Sequence, residues 1–148
     1  MITDETPHIV WGYDCGYGGP FKPLSLANYF QEAAGDHAAK LGIGMDDMFP
    51  RGLTWMLSRI DIKAERLPSK GDRVTVKTWP SGTSKVFALR YMELLDEAGN
   101  LMAGALYEYL IVDFNSRRIV RPEKFITAEM LGGPRAPYPD LNPGLAEV

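Results

Sequence analysis

The segment PLSLANYFQEAAGDHAAKLG, residues 23–42, decides the fold. Its apolar positions Leu26, Ala27, Phe30, Ala33, Ala34, Ala38 and Leu41 recur at spacings of three and four, the period of a helix with one buried face. Pro23 suits a first helical turn, where its missing N–H costs nothing, and Gly42 supplies a stop. Asn28, Glu32, Asp36 and Lys40 fall on another face, where Asp36 and Lys40 stand one turn apart and are placed to pair. The alanines matter because small side chains let a sheet approach the helix closely.

On either side of this helix the pattern is that of strands. Upstream, HIVWGYD (residues 8–14) reads as a short first strand, and CGYGGPFKP (15–23) then breaks regular structure. Downstream the period changes to two, the mark of strands with one buried face. Met56, Ser58, Ile60, Ile62 and Ala64 alternate with Trp55, Leu57, Arg59, Asp61, Lys63 and Glu65. Pro68 to Gly71 turns the chain into a strand from Arg73 to Trp79, which Pro80, Ser81 and Gly82 should end. Lys85–Leu95 and Leu101–Phe114 are two more strands around a turn at Asp96–Asn100, and Arg117–Val120 is a last short one. Past Leu131 there are four prolines and no periodicity, which predicts a domain of residues 1–131 with a poorly packed tail at 132–148. One long helix followed by strands joined through tight turns is an α+β order, an antiparallel sheet wrapped around one helix. Such a sheet has edges to cover, so a two-fold dimer or a dimer of dimers is expected.

Composition narrows the functions. With 148 residues, 45% hydrophobic and 24% charged, the chain can bury a core without disulfide or metal staples. A net charge of −3 speaks against nucleic acid as a partner, because that binding relies on lysines and arginines at phosphates. Arg117, Arg118, Arg121 and Lys124 still form a local basic cluster, either a docking point for an acidic partner or a solvated strand end. Cys15 is the single cysteine, no apolar run reaches the length of a membrane span, and the start MITDETPHIV lacks the pattern of a secretory signal. A cytoplasmic location without membrane attachment is therefore expected. No phosphate loop, zinc-ligand spacing or dinucleotide fingerprint occurs, so neither cofactor nor metal is expected.

Three stretches together resemble the amino-terminal half of the plant and bacterial acyl-acyl-carrier-protein thioesterases, which have the hot-dog fold. YDCGYGGPFKPLSLANYFQEAAGDHAAKLGI (13–43) is similar to that family's strand, gap and helix. GLTWMLSRIDIKAERLPSKGDRVTVKTWPSG (52–82) is the most specific, with the tryptophan at the strand start, the Ser-Arg, the Arg-x-Pro turn, the Gly-Asp turn and the Thr-Trp in the family's order and spacing. EAGNLMAGALYEYLIVDFNSRRIVRP (97–122) looks like its final hairpin. The resemblance implies a fatty-acyl thioester of acyl-carrier protein or coenzyme A as substrate, an acyl tunnel between helix and sheet, and hydrolysis to a free fatty acid. Larger family members hold two such halves in one chain, so here a homodimer is expected to supply the second. The catalytic halves of the family carry Asp-x-Asn-x-His at the approach to the helix, and those places fall on Gly16, Gly18 and Pro20. None of the three accepts a proton.

Thioester hydrolysis needs a base to activate water and donors to hold the developing oxyanion. Backbone amides at the helix start, with Gly18 and Gly19 allowing close approach, are candidate donors, although a plain flexible turn explains the glycines equally well. Asp14, beside the Gly-rich gap, and Glu32, on the polar helix face with Asn28, are the candidate bases; solvation or a subunit interface are their ordinary alternatives. His37 is a third candidate or a core histidine, and Cys15 a remote candidate nucleophile. Phe30, Trp55, Met56, Met45 and Met48 are candidate acyl-channel residues, or else core. Two other functions stay open: hydration or dehydration of 3-hydroxyacyl thioesters, with His37 paired to Glu32 or Asp14, and a catalytically silent acyl-binding module.

Overall fold

Pro23 and Gly42 bound the central helix as the spacing predicts. In the computed structural model, which describes residues 2–16 and 19–141, helix α1 runs Pro23–Lys40. Gly42 ends it in a left-handed conformation (φ +79°) that lets Gly42 N–H and Ile43 N–H reach back to the carbonyls of Ala39 and Ala38. Leu26, Phe30, Ala33 and Ala34 are buried on one stripe and pack against Val76, Met92 and Ala105 of the sheet. Lys40 pairs not with Asp36 but with Asp4 of the first strand, at 2.9 Å. A short helix α2, Met45–Met48, follows.

The strands are β1 (Asp4–Ile9), β2 (Leu53–Ala64), β3 (Arg73–Ser84), β4 (Phe87–Leu95), β5 (Leu101–Asp113) and β6 (Arg118–Val120). All pairings are antiparallel, in the order β1-β3-β4-β5-β2, with β6 pairing residues 111–113 of β5. The sheet therefore curls around α1 with β1 and β2 at its ends. β2 is a long edge that leaves Met56, Leu57 and Ile60 exposed.

Four sequence expectations need correction. The first strand lies at Asp4–Ile9 rather than 8–14, because the Asp14 carboxylate captures the Trp11 N–H and curls Gly12–Asp14 into a 3-10 turn. β3 does not stop at Pro80: the register shifts between Pro80 and Gly82, a bulge that tolerates the missing N–H, and the chain reverses only after Ser84, with Lys85 at φ 58°. In β2 the register shifts between Leu57 and Arg59, so the alternation changes face at Ser58. Trp55, Ile60 and Ile62 oppose the inward residues Ile111, Tyr107 and Ala105, whereas Met56 opposes Leu110 on the other face. Finally, residues 132–141 are packed. Tyr138 and Leu141 are buried with Leu89 and Leu106 on the sheet's outer face, Gly133 lies over Trp79, and Gly104 admits Pro137 where a Cβ would come within 2.6 Å.

Candidate active site

The small residues Ala34, Gly35 and Ala38 leave a gap between α1 and the sheet that larger side chains would fill. A cleft opens there to solvent, closed at its sides by Ile43 and Met45 before β2, by Trp55 of β2 and by Pro80 of β3. Trp55 is held by its Nε1–H donating to the Ile43 carbonyl at 2.7 Å and stands edge-on to Tyr109, 6.0 Å between centroids. An added Cβ at Gly35 meets nothing within 4 Å, as expected of a residue facing open space.

Three polar groups enter this apolar cleft. Tyr109 O–H donates to Gln31 Oε1 at 2.8 Å, tying β5 to α1. Arg90 of β4 brings a guanidinium whose Nη1 lies 2.8 Å from His37 Nδ1 and donates to Thr78 Oγ1 at 3.2 Å. Arginine only donates, so His37 Nδ1 accepts and the ring proton sits on Nε2. Burial lowers the Arg90 pKa to about 10, which leaves it a cation at neutral pH, and pushes the Tyr109 phenol upward. Sequence reasoning did not single out Arg90, Tyr109 or Gln31. The available signal was an arginine at the inward parity of FALRYMELL, in line with Ala88, Met92 and Leu94.

The approach to the helix forms a second cluster. Asp14 is buried, and its Oδ2 accepts from Trp11 N–H at 3.0 Å and from Tyr29 O–H at 2.6 Å. Desolvation first, and the bond to Asp14 second, push the Tyr29 phenol upward. The Asp14 carbonyl accepts from Lys22 N–H and Ser25 Oγ–H, both at 2.9 Å, and Ser25 N–H turns back to the Lys22 carbonyl. Two of the amides near the helix start are therefore already used. Gly16 N–H reaches the Pro20 carbonyl at 2.6 Å, Gly19 is exposed, and Gly18 lies outside the described residues. From Ser25 to Ala34 is nine residues of helix, roughly 13 Å, so this cluster and the cleft sit along different parts of α1.

The remaining candidates divide between surface and core. Asn28 and Glu32 are exposed on the helix, and Glu32 makes no hydrogen bond or ion pair among the described residues. His37 is fully buried and directed at Arg90. Phe30 is fully buried edge-on to Tyr107 and does not line the cleft; Met48 is likewise core, while Met45 and Trp55 do line it. Met56 is half exposed on the opposite face of the sheet. Arg117, Arg118 and Arg121 are exposed around the β5–β6 turn, whose Asp113 opposes Leu53 of β2; the next residue, Thr54, touches Met45 of the cleft wall. Beside them Phe49 and Phe114 stack in the open, 5.0 Å apart. Among the described residues no group of three His, Cys, Asp or Glu side chains is placed to hold a metal ion, and no helix is long and apolar enough to cross a membrane.

A single long helix inside a curled antiparallel sheet, with an apolar cleft between them, defines a hot-dog domain. The chain belongs to the acyl-ACP thioesterase family, matching the model of that family's N-terminal domain over residues 5–130. It is 26% identical to the chloroplast oleoyl-acyl carrier protein thioesterase of Coriandrum sativum over 95% of its own length but 41% of that protein's. An acyl-ACP thioesterase of Bacteroides thetaiotaomicron superposes with a TM-score of 0.83 at 20% identity, covering 93% of this chain and 56% of that one. A DHNA-CoA thioesterase of Staphylococcus aureus gives 0.74 at 21% identity, covering 85% of both chains. The chain thus spans less than half of its curated plant relative and a little over half of its bacterial one.

Proposed function

We propose that this domain binds acyl thioesters of acyl-carrier protein or coenzyme A and takes part in their hydrolysis to a free acid and a thiol. The observation that carries this reading is the apolar cleft between α1 and the sheet, in a chain that belongs to a thioesterase family. In the reaction, water adds through oxygen to the thioester carbonyl, the C–S bond breaks, and the sulfur leaves as a thiol. A carboxylate takes the water proton and returns it to the departing sulfur. Glu32, exposed on α1 and without a hydrogen bond or ion pair among the described residues, is the leading candidate, and Asp14 the second. The test is release of free thiol from acyl and 3-hydroxyacyl carriers of several chain lengths, beside absorbance of any enoyl product. Thiol release without an enoyl signal is expected, and an enoyl signal alone would replace hydrolysis by dehydration. A silent acyl-binding half is the second reading, favoured by Gly16, Gly18 and Pro20 at the places of the proton-transferring motif. Acyl binding without turnover would select it.

A complete site on this reading needs a second hot-dog half, and a second copy of the chain can provide it. Support comes from the β2 edge, where Met56, Leu57 and Ile60 are exposed beside unpaired backbone groups. The expected mass by light scattering at micromolar concentration is that of a dimer or a dimer of dimers; a monomer would remove this part of the proposal. The single cysteine fits a reducing compartment, and the reading places the protein in the cytoplasm.

An acidic carrier protein is the proposed docking partner of Arg117, Arg118 and Arg121. The cluster stands near the α2 wall of the cleft, where steering would bring an acyl group to its mouth. Reversing the three charges should slow turnover of carrier-bound substrate about tenfold or more at low salt, and that of the coenzyme-A ester much less. Equal losses on both would exclude carrier docking there.

A further inference from the structure

Arg90 occupies an unusual place for a cation. It points inward from β4 between Ala88 and Met92, is 6% exposed, and forms part of the wall of an otherwise mostly apolar cleft. Its two hydrogen-bond partners, His37 Nδ1 and Thr78 Oγ1, are neutral acceptors that both meet Nη1. Among the described residues no carboxylate lies within ion-pair distance of it. Asp4 acts on it only at longer range and is itself engaged by Lys40 at 2.9 Å. A buried ion without a counter-ion is costly, and an alkyl chain filling the cleft would strip away whatever water still reaches the guanidinium. A carboxylate brought in by a ligand would instead supply the missing charge and match the planar fork of N–H donors.

We propose that Arg90 is the recognition group for an acyl chain that carries a carboxylate of its own, so that the cleft selects carboxyl-bearing acyl thioesters over plain alkyl ones of equal length. The inference rests on the reading of the cleft as the acyl site. Tyr109, which interacts electrostatically with the guanidinium, and Gln31, joined to Tyr109 at 2.8 Å, add hydrogen-bonding groups to the lining of the same cleft. An arginine that merely tied α1 and β3 to β4 would need no place on the cleft wall and would give no preference among ligands.

Calorimetric titration of the full chain tests this, using pantetheine analogues in which a methylene replaces the sulfur so that none is hydrolysed. The acyl groups are octanoyl, its ω-hydroxy counterpart and its ω-carboxy counterpart. The ω-carboxy analogue should bind ~10- to 100-fold more tightly than octanoyl, the range of a hydrogen bond to a charged group, and Arg90→Met should abolish that margin. Equal binding of octanoyl, equal binding of the ω-hydroxy analogue, or a margin that survives Arg90→Met would each overturn the inference while leaving the cleft as an acyl site. No binding of any of the three would overturn the acyl-site reading itself, and this inference with it. Should Arg90→Met not fold, the Arg90 Nε resonance of the unaltered protein decides: it should shift with the ω-carboxy analogue and stay fixed with octanoyl, and the reverse pattern would refute the assignment.

Discussion

Glu32→Gln should lower the rate of thiol release about a hundred- to ten-thousand-fold if Glu32 is the general base, the range lost when a base gives up its proton acceptor, and should leave the stability of the domain unchanged. The amide keeps the shape of the side chain, and Glu32 makes no hydrogen bond or ion pair among the described residues whose loss would unsettle the helix. Asp14→Asn gives a different profile. Its carboxylate accepts from Trp11 N–H and Tyr29 O–H in a buried setting, so the substitution costs about 1.5–3 kcal/mol of stability through two charge-assisted hydrogen bonds. Rates per folded molecule and urea midpoints, taken on both variants, separate a base from a structural pin. If both variants keep the full rate, neither carboxylate is the base, and His37 or a residue supplied from elsewhere becomes the candidate.

The helix was legible because its signal is redundant. Period, alanine content, Pro23 and Gly42 all agree, and the structure bounds it within one residue of the expectation. The order of strands was legible for the same reason, since each hydrophobic run is closed by turn residues. Faces and ends were harder. In β2 a single extra residue at Ser58 reverses the alternation, and nothing in TWMLSRID marks a bulge, so Met56 reads as a channel residue when it opposes Leu110 on the outer face. Pro80 and Gly82 look like a strand end because turns and bulges draw on the same residues. The packing of residues 132–141 was hidden because it depends on what Gly104 and Trp79 offer from distant strands, and prolines carry no period to announce it.

The candidate site was less legible than the fold, and the reason is physical. Motif reasoning looks for proton acceptors close together in sequence, and the approach to the helix offers Asp14 alone among glycines. The polar groups that do meet in the cleft come from α1, β4 and β5; Gln31 is more than fifty positions from Arg90 and Tyr109, and only folding brings the three to one cleft. His37 shows the same limit. On the helical wheel it borders the apolar stripe, but its partner Arg90 lies fifty-three positions away, so the buried contact between them shows only in the fold.

Phe30→Ala should cost about 3–5 kcal/mol of unfolding free energy, the largest stability loss expected from any single side chain discussed above. Phe30 has no exposed surface, and it stands edge-on to Tyr107 at 6.2 Å in the main core between α1 and the sheet. Truncation removes both the buried apolar area and an aromatic pair. The control lies on the same helix. Leu24 is 69% exposed, so Leu24→Ala should change stability by no more than ~0.5 kcal/mol although it deletes a similar apolar group. Urea unfolding of the two variants, compared at equal slope, measures the difference directly. A hot-dog sheet curls because one face of one helix is buried against it, so similar values for Phe30→Ala and Leu24→Ala would mean that α1 is not seated in the sheet by this stripe. Phe30 lies outside the cleft wall, and ligand affinity per folded molecule should therefore stay close to that of the unaltered chain while the domain as a whole becomes easier to unfold.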